Sequence, residues 1–417
     1  MREPIYKKRP VAPFPATFGG QRINDFILLS EGFSNVYLLE TGAGSIQINA
    51  GMGIEAPVHR QNFMAFSGAP VRHLILTQGH VDHVGGVQYF RDHNPGLEVI
   101  AQAGNPEHQS YDARLAAFRA NRSAFAFSDK FARAFEDYAQ HGLNEFPDQD
   151  APEPDVMFTD RHTLELGGRK LELIAVAGAE TNDSLIVWLP DEGICFTGNL
   201  FGCPFGHFPN LVTIRGDRYR DALTVAAAVR TVMELKPKMI LYGHHGPVVG
   251  ERLIKEELNA LHGAIHFVHD AVVEGMNRGA DLHTLMASVA LPPELEVGEG
   301  YGKVSWGVRA IWEHYAGWFK HESTTELYPQ AMREVHEDIV DLAGEQAIIE
   351  RARQRLQDES AVQALHLLSL LGPTDQLTGD ARGLAAQAHK RLLADSDNFW
   401  LSAWLSHQLQ RMETDVG

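Results

Sequence analysis

The chain of 417 residues predicts an α/β domain with a ligand-rich sheet edge, followed by an all-helical region. Three observations carry that prediction. Short apolar runs broken by Gly-rich turns fill the first part of the sequence, several of these runs end in turns that present metal-ligand side chains, and strand patterns cease after Gly250.

The opening strands are Phe26-Ile27-Leu28-Leu29, Val36-Tyr37-Leu38-Leu39 and Ser45-Ile46-Gln47-Ile48, a β-meander. Leu74-Ile75-Leu76 then reads as a buried strand and Val84-Gly85-Gly86-Val87-Gln88-Tyr89-Phe90 as the start of a helix. The turn between them holds Gln78, His80, Asp82 and His83 at a strand's carboxyl end. Gln78 and His80, two apart, point the same way, while Asp82 and His83 approach from another side. That arrangement suits two adjacent metal positions. Imidazole and carboxylate favour zinc, iron or manganese, and the thiolates of a structural zinc site are missing. The plainer reading, a helix capped by Asp82 with two solvated histidines, leaves the coincidence of ligand types and a Gly-Gly pair unexplained.

From about residue 105 to 150 the pattern turns helical, an insertion placed where a lid would form. Its aromatic stripe, Phe118, Phe125, Phe131, Phe135 and Tyr138, reads first as helix-packing core and second as an apolar wall for a substrate tail. Further strand ends follow. Val176-Ala177-Gly178-Ala179 leads to Glu180, Cys195-Phe196-Thr197-Gly198 to Asn199, and Met239-Ile240-Leu241-Tyr242-Gly243 to the pair His244 and His245. A helix is expected from Arg218 to Lys236, with Arg218, Arg220 and Arg230 on its solvated face, and an amphipathic helix from Glu257 to Gly279. The aromatics around Trp306, Trp312 and Trp318 predict an interface, and the tail from about Ala331 to Arg411 is helical throughout, broken at Gly372-Pro373.

Together these motifs resemble the metallo-β-lactamase superfamily from about Asn35 to Gly250. The resemblance implies a four-layer αββα fold with metals at one edge of two sheets. It places Gln78, His80, Asp82 and His83 on the signature turn, Glu180 on the second-motif ligand, Asn199 on the bridging carboxylate and His245 on the last histidine. A narrower resemblance is to the alkylsulfatase branch, which carries a glutamate at the position of Glu180. It implies that Asn210 and Arg215, in Asn210-Leu211-Val212-Thr213-Ile214-Arg215-Gly216, contact a sulfate group and that Tyr301 lies near the substrate. The segments Leu291-Pro292-Pro293-Glu294-Leu295 and Gly300-Tyr301-Gly302-Lys303-Val304-Ser305 resemble that branch's dimerisation region, and the tail its helical-hairpin repeats, so a homodimer is expected. Domains are placed at 1–255, catalytic, and 256–417, helical dimerisation and repeat region.

Three positions depart from the pattern. Gln78 replaces the first histidine, Asn199 the bridging acid, and Asn49 the acid that ends the early strand. A carboxamide offers an oxygen but no charge, and two dications about 3.5–4 Å apart repel strongly, so one site should weaken. One well-held ion is expected, zinc first and iron or manganese as alternatives. Asp82, His83 and His245 form the tighter set and Gln78, His80 and Glu180 the weaker, while His244 takes a supporting or solvent role.

The expected function is metal-dependent hydrolysis of a small ester or anionic substrate. Asp82, Asn210, Arg215 and Tyr301 form the catalytic centre, and the metal lowers the pKa of a bound water to about 7. Two alternatives stand beside it. Two histidines and a carboxylate also suit a mononuclear non-haem iron oxygenase or lyase, and the neutral substitutions suit a noncatalytic, metal-poor binding protein.

Composition sets the remaining bounds. A net charge of −18 argues against a nucleic-acid partner. The longest apolar runs are of strand length, which argues against a membrane span. The basic segment Met1 to Pro10 is not followed by an apolar signal core, which predicts a cytoplasmic protein. Cys195 and Cys203 read as reduced, packed thiols.

Overall fold

The apolar runs form two sheets. A computed structural model of the chain describes residues 3–414. The first sheet runs in the order β1 (Gln21–Arg22), β2 (Ile27–Ser30), β3 (Val36–Thr41), β4 (Gly44–Ile48), β5 (Val71–Ile75), β6 (Glu98–Gln102) and β7 (Val156–Phe158). Its meander β1 to β4 is antiparallel and its β4 to β7 half is parallel. The second sheet contains β8 (Arg161–Leu166), β9 (Arg169–Ala175), β10 (Leu185–Leu189), β11 (Ile194–Gly198), β12 (Met239–Tyr242) and β13 (Val248–Val249), in reverse spatial order, with only β11 and β12 parallel.

Strand alternation sorts the side chains into layers. On β3, Tyr37 and Leu39 enter a core shared with Leu185, Val187 and Leu189 of β10, which lies between the sheets. Val36 and Leu38 point the other way, into a core with Phe63 of α1 (Ala56–Phe66), Val84 of α2 (Val81–Val84) and Phe90 of α3 (Val87–His93). On β10, Ile186 and Trp188 join the outer core of the second sheet, against Val225 and Val229 of the later helix over Ala222–Leu235. Helix, sheet, sheet, helix is the expected four-layer αββα sandwich.

The insertion after β6 forms α4 (Asn105–Arg114) and α5 (Ala116–Gln140). Only part of its stripe is buried. Tyr138 is fully covered and Phe131 packs 4.9 Å from Phe33, whereas Phe118 is 54% and Phe135 41% exposed, so the helix carries two apolar rings to solvent.

After the insertion come α6 (Ala222–Leu235) and α7 (Glu251–Asn277), followed by α8 (Leu282–Ser288) and α9 (Val304–Ala316). Leu258, Ile265 and Val272 of α7 and Val308 and Ile311 of α9 belong to the same outer core as the second sheet. By contact the chain forms two compact units that divide at His314 and Tyr315, with α7 and α9 packed on the first. The second unit contains α10 (His336–Ala343), α11 (Glu345–Gln357), α12 (Ala361–Leu368), α13 (Gly379–Ala394) and α14 (Phe399–Thr414). Its own core is built from Ile349, Ala352, Leu356, Ala364, Leu368, Leu384 and Ala385. Of the tryptophans read as an interface, Trp312 is buried in the first unit and Trp318 is 70% exposed in the second. No described helix is long and apolar enough to cross a membrane.

Candidate metal centre

Every ligand-bearing turn lies just past the carboxyl end of a strand: Gln78 to His83 after β5, Glu180 after β9, Asn199 after β11 and His244 after β12. The supports come from the β2–β3 loop. Asn35 donates its backbone N–H to Gly243 O (2.6 Å) and its amide to Tyr242 O (2.9 Å) and His245 O (2.7 Å), fixing the turn after β12. Next to it, Ser34 Oγ lies 3.1 Å from His83 Nδ1. Asn49, in the left-handed region at φ 62° where Asn is tolerated, accepts from Thr77 N and Thr77 Oγ1, both at 3.0 Å; Thr77 Oγ1 in turn reaches His83 Nδ1 at 3.5 Å. The residue that stands for an early-strand acid thus braces the ring of His83 without charge.

Among the described residues, one group of His, Cys, Asp and Glu side chains has ligand atoms that all lie within 4.8 Å of one another: Asp82, His83 and His244. Burial drives both imidazoles to a pKa of about 3, so both rings are neutral. Burial also raises the Asp82 carboxyl, against the opposing pull of His244 and Arg215. His244 Nδ1 and Asn199 Oδ1 are buried with no hydrogen-bond partner among the described atoms, a costly condition that a cation would relieve. Asn199 also donates its amide to His83 Nε2 at 3.0 Å, and the backbone leaves it no slack: a Cβ at Gly243 would fall 1.9 Å from its Oδ1. Two neutral imidazoles, a carboxylate and an orphaned carboxamide oxygen fit a zinc-type ion.

His245, expected as the last ligand, is not in this group. It sits in the left-handed region at φ 62°, its ring is 5.5 Å from Phe14 and 6.4 Å from that of His244, and both its ring nitrogens are buried with no hydrogen-bond partner among the described atoms. His244 is the histidine of this turn that joins the group. The sequence signal was present, since His244 is the residue directly after the Gly243 that ends the strand, but a His-His pair does not say which partner the backbone turns inward.

The second predicted set is arranged differently. Gln78 Nε2 lies 3.0 Å from His80 Nδ1, while His80 Nε2 faces Asp217 Oδ2 at 3.6 Å and Arg215 Nη2 at 3.4 Å. Glu180 is bound by Arg220, whose Nη2 lies 3.0 Å from Glu180 Oε1 and whose Nε donates to Glu180 O at 2.8 Å. Arg220 Nη1 also donates to Asn210 O, so one guanidinium ties the Glu180 turn to the Asn210 loop. Arg220 is 7% exposed, not solvated as expected. The reason is a later helix start: Asp221 caps α6 by accepting from Thr224 N at 2.7 Å, and Arg220 precedes it in a loop. The Asp-x-x-Thr cap was the legible signal.

Asp217 is the centre of this cluster. It accepts from Arg119 Nη2 of α5 at 3.0 Å and lies 3.8 Å from Arg215 Nη2. Burial works against its charge, yet His80, Arg220 and Arg215 outweigh that and hold its carboxyl well below the ordinary range. For Arg215 burial likewise opposes the charge, and Tyr301, Asp217, Asp82 and Asp112 more than offset it. Burial lifts Glu180 to about 7 and holds the Tyr301 hydroxyl firmly protonated. Cys203 is buried and free, as expected, and close enough to Asp82, Glu180 and Tyr301 to sense their charge. Arg119, Asp217 and Ser34 drew no notice in the sequence, because ordinary charged and hydroxyl residues carry no pattern of their own.

The layered fold and the strand-end ligands define the class. The Metallo-beta-lactamase superfamily profile matches residues 29–244, and the chain belongs to that superfamily, whose members bind metal ions, typically zinc. An Alkyl sulfatase dimerisation profile matches residues 282–413. Similar curated proteins include a linear primary-alkylsulfatase from Pseudomonas sp., 25% identical over 297 residues (68% of this chain, 56% of the relative). Another is an (R)-specific secondary-alkylsulfatase from Pseudomonas sp., 25% identical over 363 residues (82% of this chain, 54% of the relative). The chain spans about half the length of these relatives. In fold it is similar to the stereoselective inverting sec-alkylsulfatase Pisa1 from Pseudomonas sp., with a TM-score of 0.81 at 21% identity over 95% of this chain and 66% of that one.

Proposed function

We propose that the protein is a metal-dependent hydrolase of alkyl sulfate esters. The observation that carries this reading is the grouping of Asp82, His83 and His244, with the partly buried cation Arg215 near enough to act on Asp82. Similarity to primary and secondary alkylsulfatases supports the substrate class. Asp82, His83 and His244 would hold one zinc ion, with Asn199 Oδ1 beside them. A zinc ion bound there supplies a water whose pKa is brought to about 7.

The residues do the rest. Arg215 presents a fork of N–H donors suited to sulfate oxygens, with Asn210 and Tyr301 completing the anion pocket. Tyr301, kept protonated by burial, donates and does not accept a proton. Asn49, Thr77 and Ser34 hold the His83 ring in place. The dimerisation profile supports assembly as a homodimer through the helical region. The net charge of −18 leaves attraction of an anion to these local cations. The oxygenase or lyase and metal-poor binding readings gain no support from the relatives.

The test is sulfate release from a panel of primary and secondary alkyl sulfates by zinc-loaded protein, in air and under nitrogen. Equal release in both is expected. No release across the panel, or turnover that consumes oxygen, would refute the proposal.

A further inference from the structure

The three neutral substitutions weaken the second metal position, and the structure places a positive group beside it. His80 Nε2 has Arg215 Nη2 at 3.4 Å and Asp217 Oδ2 at 3.6 Å. Its engagement does not depend on which way the Gln78 amide is turned. With the amide nitrogen donating to His80 Nδ1, the neutral ring carries its proton on Nε2, directed at Asp217. With the amide turned over, Nδ1–H donates to Gln78 and Nε2 is left as an acceptor for Arg215. In the first case Nε2 faces Asp217 Oδ2 at 3.6 Å, beyond hydrogen-bond length, and in the second it meets Arg215 Nη2 at 3.4 Å, so charged side chains flank the nitrogen in both.

The other would-be ligand is occupied as well. Glu180 pairs with Arg220 through an Nη2–Oε1 distance of 3.0 Å and a bond to its own carbonyl. Arg215 is fixed from behind by Asp217, and Asp217 by Arg119 of the insertion, with side-chain exposures of 7% and 11% for these last two. Arg119 also pairs with Asp112 of α4. The chain from α4 and α5 to His80 is thus a continuous run of alternating charges.

We propose that Arg215, anchored through Asp217 and Arg119, is the second cation of this site, standing where Gln78, His80 and Glu180 would hold a second metal ion, so that the centre is mononuclear. This rests on Asp82, His83 and His244 as the metal ligands but not on the substrate class. A guanidinium needs no bridging carboxylate, which accounts for Asn199, and no strong first histidine, which accounts for Gln78. Asp217 and Arg119 are positioning residues: they hold the cation and do not touch substrate. The insertion is then part of the site and not only a cover, since its helices supply the last anchor.

Zinc content of the full chain, measured after zinc loading and gel filtration, tests this without turnover, so a failure to cleave alkyl sulfates leaves it standing and a wrong ion count sinks it alone. One zinc per chain is expected for the wild type. Gln78→His with Asn199→Asp restores the imidazole and the carboxylate but keeps the arginine, and should stay near one; adding Arg215→Ala should raise the count to two. A wild-type count of two, a double variant that reaches two with Arg215 present, or a folded triple variant that stays at one each overturns the proposal. Should the triple variant not fold, the wild-type and double-variant counts still decide.

Discussion

Replacing Arg220 by Met tests the electrostatics of the site in a residue that no surface reading would single out. Arg220 is buried, pairs with Glu180 and donates to the carbonyls of Glu180 and Asn210. Met fills a similar volume, so the loss is charge and hydrogen bonding. Removing one partner of a buried pair costs about 3–5 kcal/mol, because the remaining charge keeps its desolvation penalty. Glu180 already has its pKa raised to about 7 by burial, with Arg220 as the first force pulling it down. Without Arg220 its carboxyl should rise further and take up a proton. The cost is therefore largest above pH 7 and smaller at pH 5, where the protonated acid needs no partner. Urea unfolding of the wild type, Arg220→Met, Glu180→Leu and the double variant, at both pH values, measures this. The double variant should recover most of the loss. A single-variant cost below about 1 kcal/mol, of surface-pair size, or strictly additive single losses, would refute the reasoning.

Gly243→Ala should cost about 1–3 kcal/mol in urea unfolding, since the new Cβ would lie 1.9 Å from Asn199 Oδ1 and 3.0 Å from the Gly198 carbonyl carbon; an unchanged midpoint contradicts this packing. Glu55 accepts the backbone N–H groups of Ala16, Phe33 and Met52, yet burial raises its pKa to about 7 from 4.5. The folded chain then binds this proton more tightly than the unfolded one. Its contribution is fully present below pH 4.5 and is lost as pH rises through about 7, a change of about 3 kcal/mol. Glu55→Gln should flatten that part of the stability profile between pH 4.5 and 7.5, and a profile parallel to the wild type would show that Glu55 does not titrate in this range.

Much of the fold was legible because alternation and strand-end turns are local. The β2 to β4 meander falls within a residue or two of its predicted runs, and the turn from Gln78 to His83 lies where the apolar Leu74-Ile75-Leu76 run ends. What was not legible depends on backbone direction or on partners distant in sequence. Which of His244 and His245 joins Asp82 and His83 depends on a turn with a left-handed residue, braced by Asn35 more than two hundred positions away. Arg220 looked like a helix-face residue until Asp221 was found capping the helix after it. The role of Asp217 needs Arg119 from the insertion, a pairing across 98 positions that no spacing rule reports.

Metal content of three purified proteins, wild type, His244→Ala and His245→Ala, tests the central assignment most directly. The group formed by Asp82, His83 and His244 predicts that His244→Ala loses its zinc while His245→Ala keeps the wild-type amount. Zinc lost from His245→Ala and retained in His244→Ala would contradict it.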